Sequence, residues 1–414
     1  MRLFYSIGIA LYYTAVAIAS LFNSQARTLL RGWRHWRSQY HFEALDNAPV
    51  AWFHAASLGE FEQARPVLEA FRASHPQYKI CLSFFSPSGY NVRHNYSGAD
   101  LVIYLPPDTR RNARHLVERI HPDVVFFVKY EFWFNYMERL HRNNIPFYIF
   151  SAIFRPSQYF FRPWGRWFAK QLRFFKHLFV QNEESIRLLN SIGIDHCSIA
   201  GDTRFDRVHD IAQKALPNEV VDRFLAGNKA PVVMAGSSWE PDENMLAYFL
   251  KVYNKPLKLI LAPHVISDTH LAAIEACFGA EQCVRYSAIA NNRCPSPTDY
   301  KVLIVDNIGL LSSLYRYATV ACIGGGFGKG IHNILEAATF GCPVCFGPNH
   351  HKFQEALDMI AIGGAATYND ANTLSTIISS WLDNNDAYNQ AHQACLQYMQ
   401  QHLGATQTIL NTIA

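Results

Sequence analysis

Short apolar runs alternate along the chain with longer stretches whose apolar residues recur every three or four positions. VAWFHA leads into a helical pattern from about Glu60 to Ala73, YKICLSFF into SPSGYNVRHNY, ADLVIYL into TRRNARHLVERI, and PDVVFFV into YEFWFNYMERLHRNN; PFYIFSA follows, and HLFVQN precedes EESIRLLNSIG. Apolar runs of four to eight residues bounded by turn residues read as buried strands, and their alternation with helices predicts a parallel sheet. The pattern restarts at APVVMAG (230–236) and continues through LKLILAP, KVLIVD, YATVACIGG and CPVCFGP before closing in helices. An α/β chain with two successive parallel sheets is therefore expected. The change falls near 201–229, where a helical stretch ends in LAGNK.

The first forty residues break this pattern. No charged residue stands between Arg2 and Arg27, a length sufficient to span a bilayer, for which about 20 apolar residues are needed. Arg27, Arg31, Arg34 and Arg37 follow, interleaved with Trp33 and Trp36. Positive residues stay on the cytoplasmic side and tryptophans favour the interface, so an uncleaved anchor with a cytoplasmic body is expected. Two other readings fit the same residues: a cleaved signal peptide, given Ala15-Val16-Ala17 and Ala17-Ile18-Ala19, and a segment lying in one leaflet. A second stretch, FRPSQYFFRPWGRWFAKQLRFFKHLFV (154–180), threads Arg155, Arg162, Arg166, Lys170, Arg173 and Lys176 among aromatics. It reads equally as an element lying on an anionic membrane or as a core helix with a basic solvated face.

Charge sharpens the picture. The net +4 is unevenly spread: residues 1–200 carry 23 Lys and Arg against 14 Asp and Glu, whereas 201–414 carry 14 against 19. The first half thus suits an anionic surface or substrate. With half its 414 residues hydrophobic, the chain is long enough to bury two cores, which excludes disordered and fibrous classes. Nine scattered cysteines do not make a disulfide framework, and Cys342-Pro-Val-Cys345 has no second pair at zinc-site spacing. A reducing compartment fits, with those two thiols buried and structural rather than redox-active.

Chemistry-bearing residues gather where the expected strands end, the place at which open parallel sheets bind ligands. There stand His54 to Glu60, Ser86 to Tyr90, Lys129 to Glu131, Gly236-Ser237-Ser238, Pro263-His264, and the run Gly324-Gly325-Gly326-Phe327-Gly328-Lys329-Gly330. A cleft between two domains is the expected site. The glycines let backbone amides approach an anion, and IHNILEAATFG behind them reads as a helix offering its positive end, so a phosphate is the expected ligand. Walker A is unsupported, since Gly330 follows Lys329, and a dinucleotide fingerprint lacks its acidic residue. Glu336 can accept from a ribose diol or compensate a helix dipole. Ser57-Leu58-Gly59-Glu60 is a capping box in which Glu60 closes back on Ser57, so Glu60 is either a cap or a reagent. His54 is a second candidate base or a positioning residue.

HAASLGE, LPPDT, YEFW, GDTRFD, AGSSWEPDE, and GGGFGKGIHNILEAATFGCPVCFGP with NHHKFQEA behind it, in that order over almost the whole chain, resemble the Kdo (3-deoxy-D-manno-octulosonic acid) transferases of lipopolysaccharide assembly. The resemblance implies a GT-B architecture of two Rossmann-like domains facing a cleft, with a membrane anchor at residues 1–40, an acceptor domain at 41–210 and a nucleotide-sugar domain at 211–414. The last helix is a candidate to pack back on the N-terminal domain. It further implies CMP-Kdo as donor, lipid IVA as acceptor, inversion at the anomeric carbon, no metal or other cofactor, no nucleic-acid partner, and work at the cytoplasmic face of a bacterial inner membrane. By motif, Glu60 matches the general base, with His54, Ser57, Gly59 and Glu131 lining the acceptor side. Gly236, Ser237, Ser238, Pro263, His264, Gly324, Gly325, Gly326, Gly328 and Lys329 would surround the donor, with Asn333 and Glu336 at the nucleotide. Arg155 and Arg162 would read lipid phosphate or membrane.

The chain departs from that family's pattern in places. LAPHVISDTH leaves His264 without a following arginine, Asp306-Asn307-Ile308-Gly309-Leu310-Leu311 lacks a glutamate, and Trp239 stands where a histidine is usual. Three rival readings remain: another membrane-anchored GT-B transferase acting on a lipid-linked sugar, a dinucleotide-dependent oxidoreductase, and a non-catalytic membrane scaffold.

Overall fold

A computed structural model describes residues 1–413. The chain divides into two compact units, one formed by Met1–Arg207 with the segment from Leu403 onward, the other by Val208–His402.

The first unit is built on seven parallel strands: β1 (Val50–Ala55), β2 (Lys79–Phe84), β3 (Leu101–Tyr104), β4 (Val124–Val128), β5 (Phe147–Ala152), β6 (His177–Val180) and β7 (Cys197–Ile199), in the order β3-β2-β1-β4-β5-β6-β7. The alternation of side chains along β1 and β4 supplies both cores. Trp52 and Phe127 point into one, while Phe53 and Phe126 stack at 4.5 Å in the other. The C-terminal helix Ala405–Ile413 belongs to this unit, burying Ile409 in the core beneath the helix Leu58–Ser74.

The second unit repeats the plan with β8 (Val232–Ser238), β9 (Lys258–Pro263), β10 (Cys283–Arg285), β11 (Val302–Ile304), β12 (Val320–Ile323), β13 (Val344–Phe346) and β14 (Ala365–Thr367), all parallel, in the order β10-β11-β9-β8-β12-β13-β14. The strand order reverses between β1 and β4 in the first sheet and between β8 and β12 in the second, where in addition β10 lies outside β11 at the edge. Ligands of doubly wound sheets bind beyond the carboxyl ends of the strands at such reversals.

Three expectations need correction. IHNILEAATFG forms a helix only over Leu335–Ala338; the chain from Gly324 to Ile334 is irregular, its turns held by Gly328 N–H to Gly325 O and His332 N–H to Gly324 O. The stretch 154–180 is not one helix but two 3₁₀ turns, a helix over Arg166–Leu172 and strand β6. Pro163 lacks the amide a longer helix needs, and Phe154, Phe160 and Phe175 are buried in the core. Trp33 and Trp36 are buried as well, not interfacial. Arg27 donates to the carbonyls of Ser20 and Leu21, capping the end of the first helix. All nine cysteines are free; Cys342 and Cys345 are both buried, and the Cys345 thiol lies 3.2 Å from that of Cys322 on the neighbouring strand.

Candidate functional site

At the reversal in the first sheet, β1 delivers His54 and the turn after β4 delivers Glu131. Lys129 adopts a left-handed φ of 61°, rare for a side-chain-bearing residue, and so turns the chain sharply before Glu131. His54 is fully buried, opposite Ser83 on β2. Its Nε2 lies 2.9 Å from Glu131 Oε2 and its Nδ1 2.8 Å from Ser83 Oγ. Trp133 Nε1–H donates to Glu131 Oε2 at 2.6 Å, and Trp52 Nε1–H to Ser83 Oγ at 2.7 Å. His54 Nδ1 also lies 3.1 Å from the Ser83 carbonyl and Nε2 3.1 Å from the Trp133 indole nitrogen, so both ring nitrogens are committed within one buried network. The hydroxyl of Ser83 and the indole of Trp133 are partners the sequence did not reveal, since neither type signals chemistry alone.

Glu60 lies one turn away, at the start of the helix Leu58–Ser74. The capping box is formed: Glu60 Oε2 accepts from Ser57 N–H at 2.9 Å and from Ser57 Oγ–H at 3.1 Å. Both bonds fall on Oε2, leaving Oε1 outside the cap. Burial and the charge of Glu131 push the Glu60 carboxyl above its ordinary range, against the opposing effect of the Ser57 bonds and His54. Gly59 is exposed within the first turn, where a Cβ would approach nothing closer than Ser57 Oγ. The site therefore offers a carboxylate of raised proton affinity beside a hydrogen-bonded histidine–glutamate pair.

Arg155 joins this region through Tyr130, whose hydroxyl accepts from its guanidinium at 3.0 Å. Arg162 lines a separate groove of roughly 550 Å³ with Phe160, Phe161, Arg166, Lys170 and Arg173.

At the reversal in the second sheet, β8 ends in Ser237-Ser238-Trp239, β9 in Pro263-His264, and β12 in the glycine run. The first glycines answer to packing. A Cβ on Gly324 would strike the Ser237 carbonyl, one on Gly326 would come within 2.6 Å of the Gly347 backbone, and one on Gly236 would strike Leu311. Three glycine amides are also committed: Gly324 N–H to Gly236 O, Gly325 N–H to Asp242, and Gly328 N–H to Gly325 O. The open anion cradle expected from the sequence is thus partly filled by the protein itself, whereas Gly328 and Lys329 are exposed.

Two constellations stand around this loop. Trp239, His264 and His332 form a stack, with ring centroids 4.6 and 4.7 Å apart, and Trp239 Nε1–H donates to His332 Nε2 at 3.0 Å. Burial and the neighbouring His264 lower the proton affinity of His332, in keeping with an Nε2 that accepts. Glu336 is held by Ser312 Oγ–H at 2.6 Å and Asn333 Nδ2–H at 3.1 Å, while Asn333 Oδ1 accepts from Leu335 N–H. Beneath them Ser238 Oγ–H donates to Glu243, which also meets His270. His332, Ser312 and Asp242 escaped sequence reasoning; only Asp242, three residues after Trp239, carried a signal, as the closing residue of a cap.

Residues 33–207 match the family model described as 3-deoxy-D-manno-octulosonic-acid transferase (kdotransferase). A 3-deoxy-D-manno-octulosonic acid transferase of Bordetella pertussis is 25% identical over 382 residues, covering 88% of this chain and 87% of the relative. One from Aquifex aeolicus is 26% identical over 331 residues, covering 78% and 83%. Among solved structures, a UDP-GlcNAc 2-epimerase from Neisseria meningitidis bound to UDP-GlcNAc superposes with a TM-score of 0.63 at 14% identity, covering 88% of this chain and 99% of that one. At that identity the likeness shows the fold, two Rossmann-like units of the GT-B class.

Proposed function

We propose that the chain is a Kdo transferase, a reading its similarity to that family over residues 33–207 and to curated members over most of its length supports, and that it transfers Kdo from CMP-Kdo to lipid IVA at the cytoplasmic face of a bacterial inner membrane. The observation that carries this reading is Glu60, a helix-capping carboxylate with one oxygen outside its cap and a proton affinity raised by burial and by Glu131. In the reaction an acceptor hydroxyl oxygen attacks the anomeric carbon of Kdo, and the bond to the CMP phosphate breaks with its electron pair leaving on CMP. The hydroxyl proton passes to Glu60, and attack opposite the leaving group inverts the anomeric carbon. A base poised above the usual carboxylate range suits this step, since proton transfer contributes roughly 10²–10⁴ in rate. His54 and Glu131 hold the charge beside it.

On the donor side, Glu336 fixed by Ser312 and Asn333 suits a ribose diol, and exposed Lys329 suits the phosphate. We assign no metal or cofactor to the reaction; a chelator should leave the rate unchanged. The test is transfer from CMP-Kdo to purified lipid IVA by the intact chain and by Glu60→Gln, each checked by thermal melt. Transfer by the wild type and its loss in the folded variant is the expected result. Comparable transfer by the variant would remove Glu60 from the chemistry. A wild type that binds a nucleotide yet transfers nothing from CMP-Kdo would favour a different lipid-linked sugar reaction.

A further inference from the structure

The first helix, α1 (Arg2–Ala19), is long and apolar enough to cross a membrane by length and composition. Its surroundings say otherwise. Arg2, Tyr5, Ser6, Ile9, Tyr13, Val16, Ala17 and Ser20 are all at least half covered, a stripe at helical spacing that runs the full length of the helix. Against that stripe lies the first unit. Arg2 pairs with Glu138 through both guanidinium nitrogens, and Tyr5 Oη–H donates at 2.6 Å to Asp108. Asp108 is fully buried, and its carboxylate also accepts from the amides of Asn135 and Tyr136. The Tyr5 ring meets Phe134 edge-on, and further along Tyr13 stacks on Trp33.

The opposite face carries no charge. Leu3, Phe4, Ile7, Leu11 and Ile18 are exposed along it, and the turn that follows adds Leu21 and Phe22, the latter 88% exposed. Such a surface is unfavourable in water and needs an apolar cover. Its setting identifies that cover. Trp167, beside Tyr5 at 6.3 Å, belongs to the helix Arg166–Leu172, whose other side forms the basic groove with Arg166, Lys170 and Arg173. Exposed Trp164 stands on the same segment, and exposed Arg31 and Arg34 follow in α2 (Ser24–Arg34). Hydrocarbon-seeking side chains bordered by cations and an interfacial tryptophan match one leaflet of an anionic bilayer.

We infer that α1 does not cross the bilayer but lies in the plane of one anionic leaflet, clamped along its length to the first unit, with the groove of Arg166 and Lys170 taking lipid headgroup phosphates. Crossing would require hydrocarbon all around the helix. It would strip Tyr5 from a buried carboxylate and Arg2 from Glu138, leaving both acids without those partners. The same surface is connected to the proposed site, because Tyr12 and Trp33 pack on Phe85 and Phe85 packs on Trp133 at 4.7 Å.

Two measurements on the full-length chain test this, and neither uses donor or acceptor. With the partly exposed Cys197 and Cys277 changed to serine, a cysteine added on a short Gly-Ser extension ahead of Met1 should react with an impermeant maleimide in inverted membrane vesicles and not in right-side-out spheroplasts. Labelling from the periplasmic side, or from neither side, overturns the in-plane assignment. Binding to vesicles of phosphatidylcholine with phosphatidylglycerol should weaken roughly thirtyfold in Arg166→Gln/Lys170→Gln, at about 1 kcal/mol per cation near an anionic surface, with no difference on phosphatidylcholine alone. Equal binding to the anionic vesicles by both proteins overturns the headgroup assignment.

Discussion

In the proposed reaction Glu60 meets two demands with one carboxylate, as cap and as base, and substitution can separate them. Glutamine closes a capping box as glutamate does, so Glu60→Gln should melt within a few degrees of the wild type while kcat falls by about 10²–10⁴. Glu60→Ala should lose the cap as well, at a further cost of about 1 kcal/mol in stability. The pH dependence has a definite sign. The base must be ionised, and burial followed by the charge of Glu131 raises the pH at which it ionises. The acid limb of kcat/KM should therefore lie above the ordinary glutamate range of about 4.3, and Glu131→Gln, which removes the negative neighbour, should move that limb to lower pH. An unmoved limb would mean that another group titrates. On the donor side, Ser312→Ala removes a hydrogen bond to a charged carboxylate, a contact worth about 1.5–3 kcal/mol, so the KM for donor should rise by about tenfold or more with a smaller change in kcat.

At the scale of elements, the glycine run is scaffold as well as proposed binding loop, and its members should respond differently. Alanine at Gly324 or Gly326 drives a methyl into neighbouring backbone, which cannot swing aside as a side chain can, so each should cost about 1–3 kcal/mol or more and several degrees of Tm. Alanine at Gly328 meets only the Gly325 carbonyl at 3.6 Å and should melt close to wild type, leaving any loss to appear in donor binding. Equal melting losses at all three would refute this division. The strands that frame the loop were legible because VVMAG, LILA and VACI are unbroken apolar runs, as strands buried on both faces must be. The edge strands CSI, CVR and AAT were not, since three residues carry no period. Asn333, whose side chain bonds forward to Leu335 and Glu336, held the segment before Leu335 out of the helix that its apolar spacing suggested. Likewise, His54 and Glu60 were visible as strand-end chemistry, but the contact of His54 with Glu131 was not. It spans 77 residues and exists only because β1 and β4 are neighbours at the reversal of strand order.

For the whole molecule, the division into two units, each with its own sheet and core, would make the proposed nucleotide binding a local stability event. Every residue assigned to the nucleotide sugar, from Gly236 to Glu336, belongs to the unit Val208–His402, while Glu60, His54 and Glu131 belong to the other. A ligand that binds only the native form stabilises what it touches by RT ln(1 + [L]/Kd), about 2.7 kcal/mol at a hundredfold excess over Kd. Hydrogen exchange read strand by strand should therefore slow on adding CMP by up to about a hundredfold in β8, β9 and β12, where exchange requires opening of that unit, and change little in β1, β4 and β5. NAD at the same concentration should slow neither set, which separates a cytidylyl-sugar enzyme from a dinucleotide-dependent oxidoreductase. Slowing confined to β1 and β4 would place the nucleotide on the carboxylate side instead and reverse the assignment of donor and acceptor. The excess of positive charge in the first 200 residues points the same way as the expected outcome, because the unit proposed to meet an anionic membrane and a phosphorylated lipid is not the one whose stability a free nucleotide should govern.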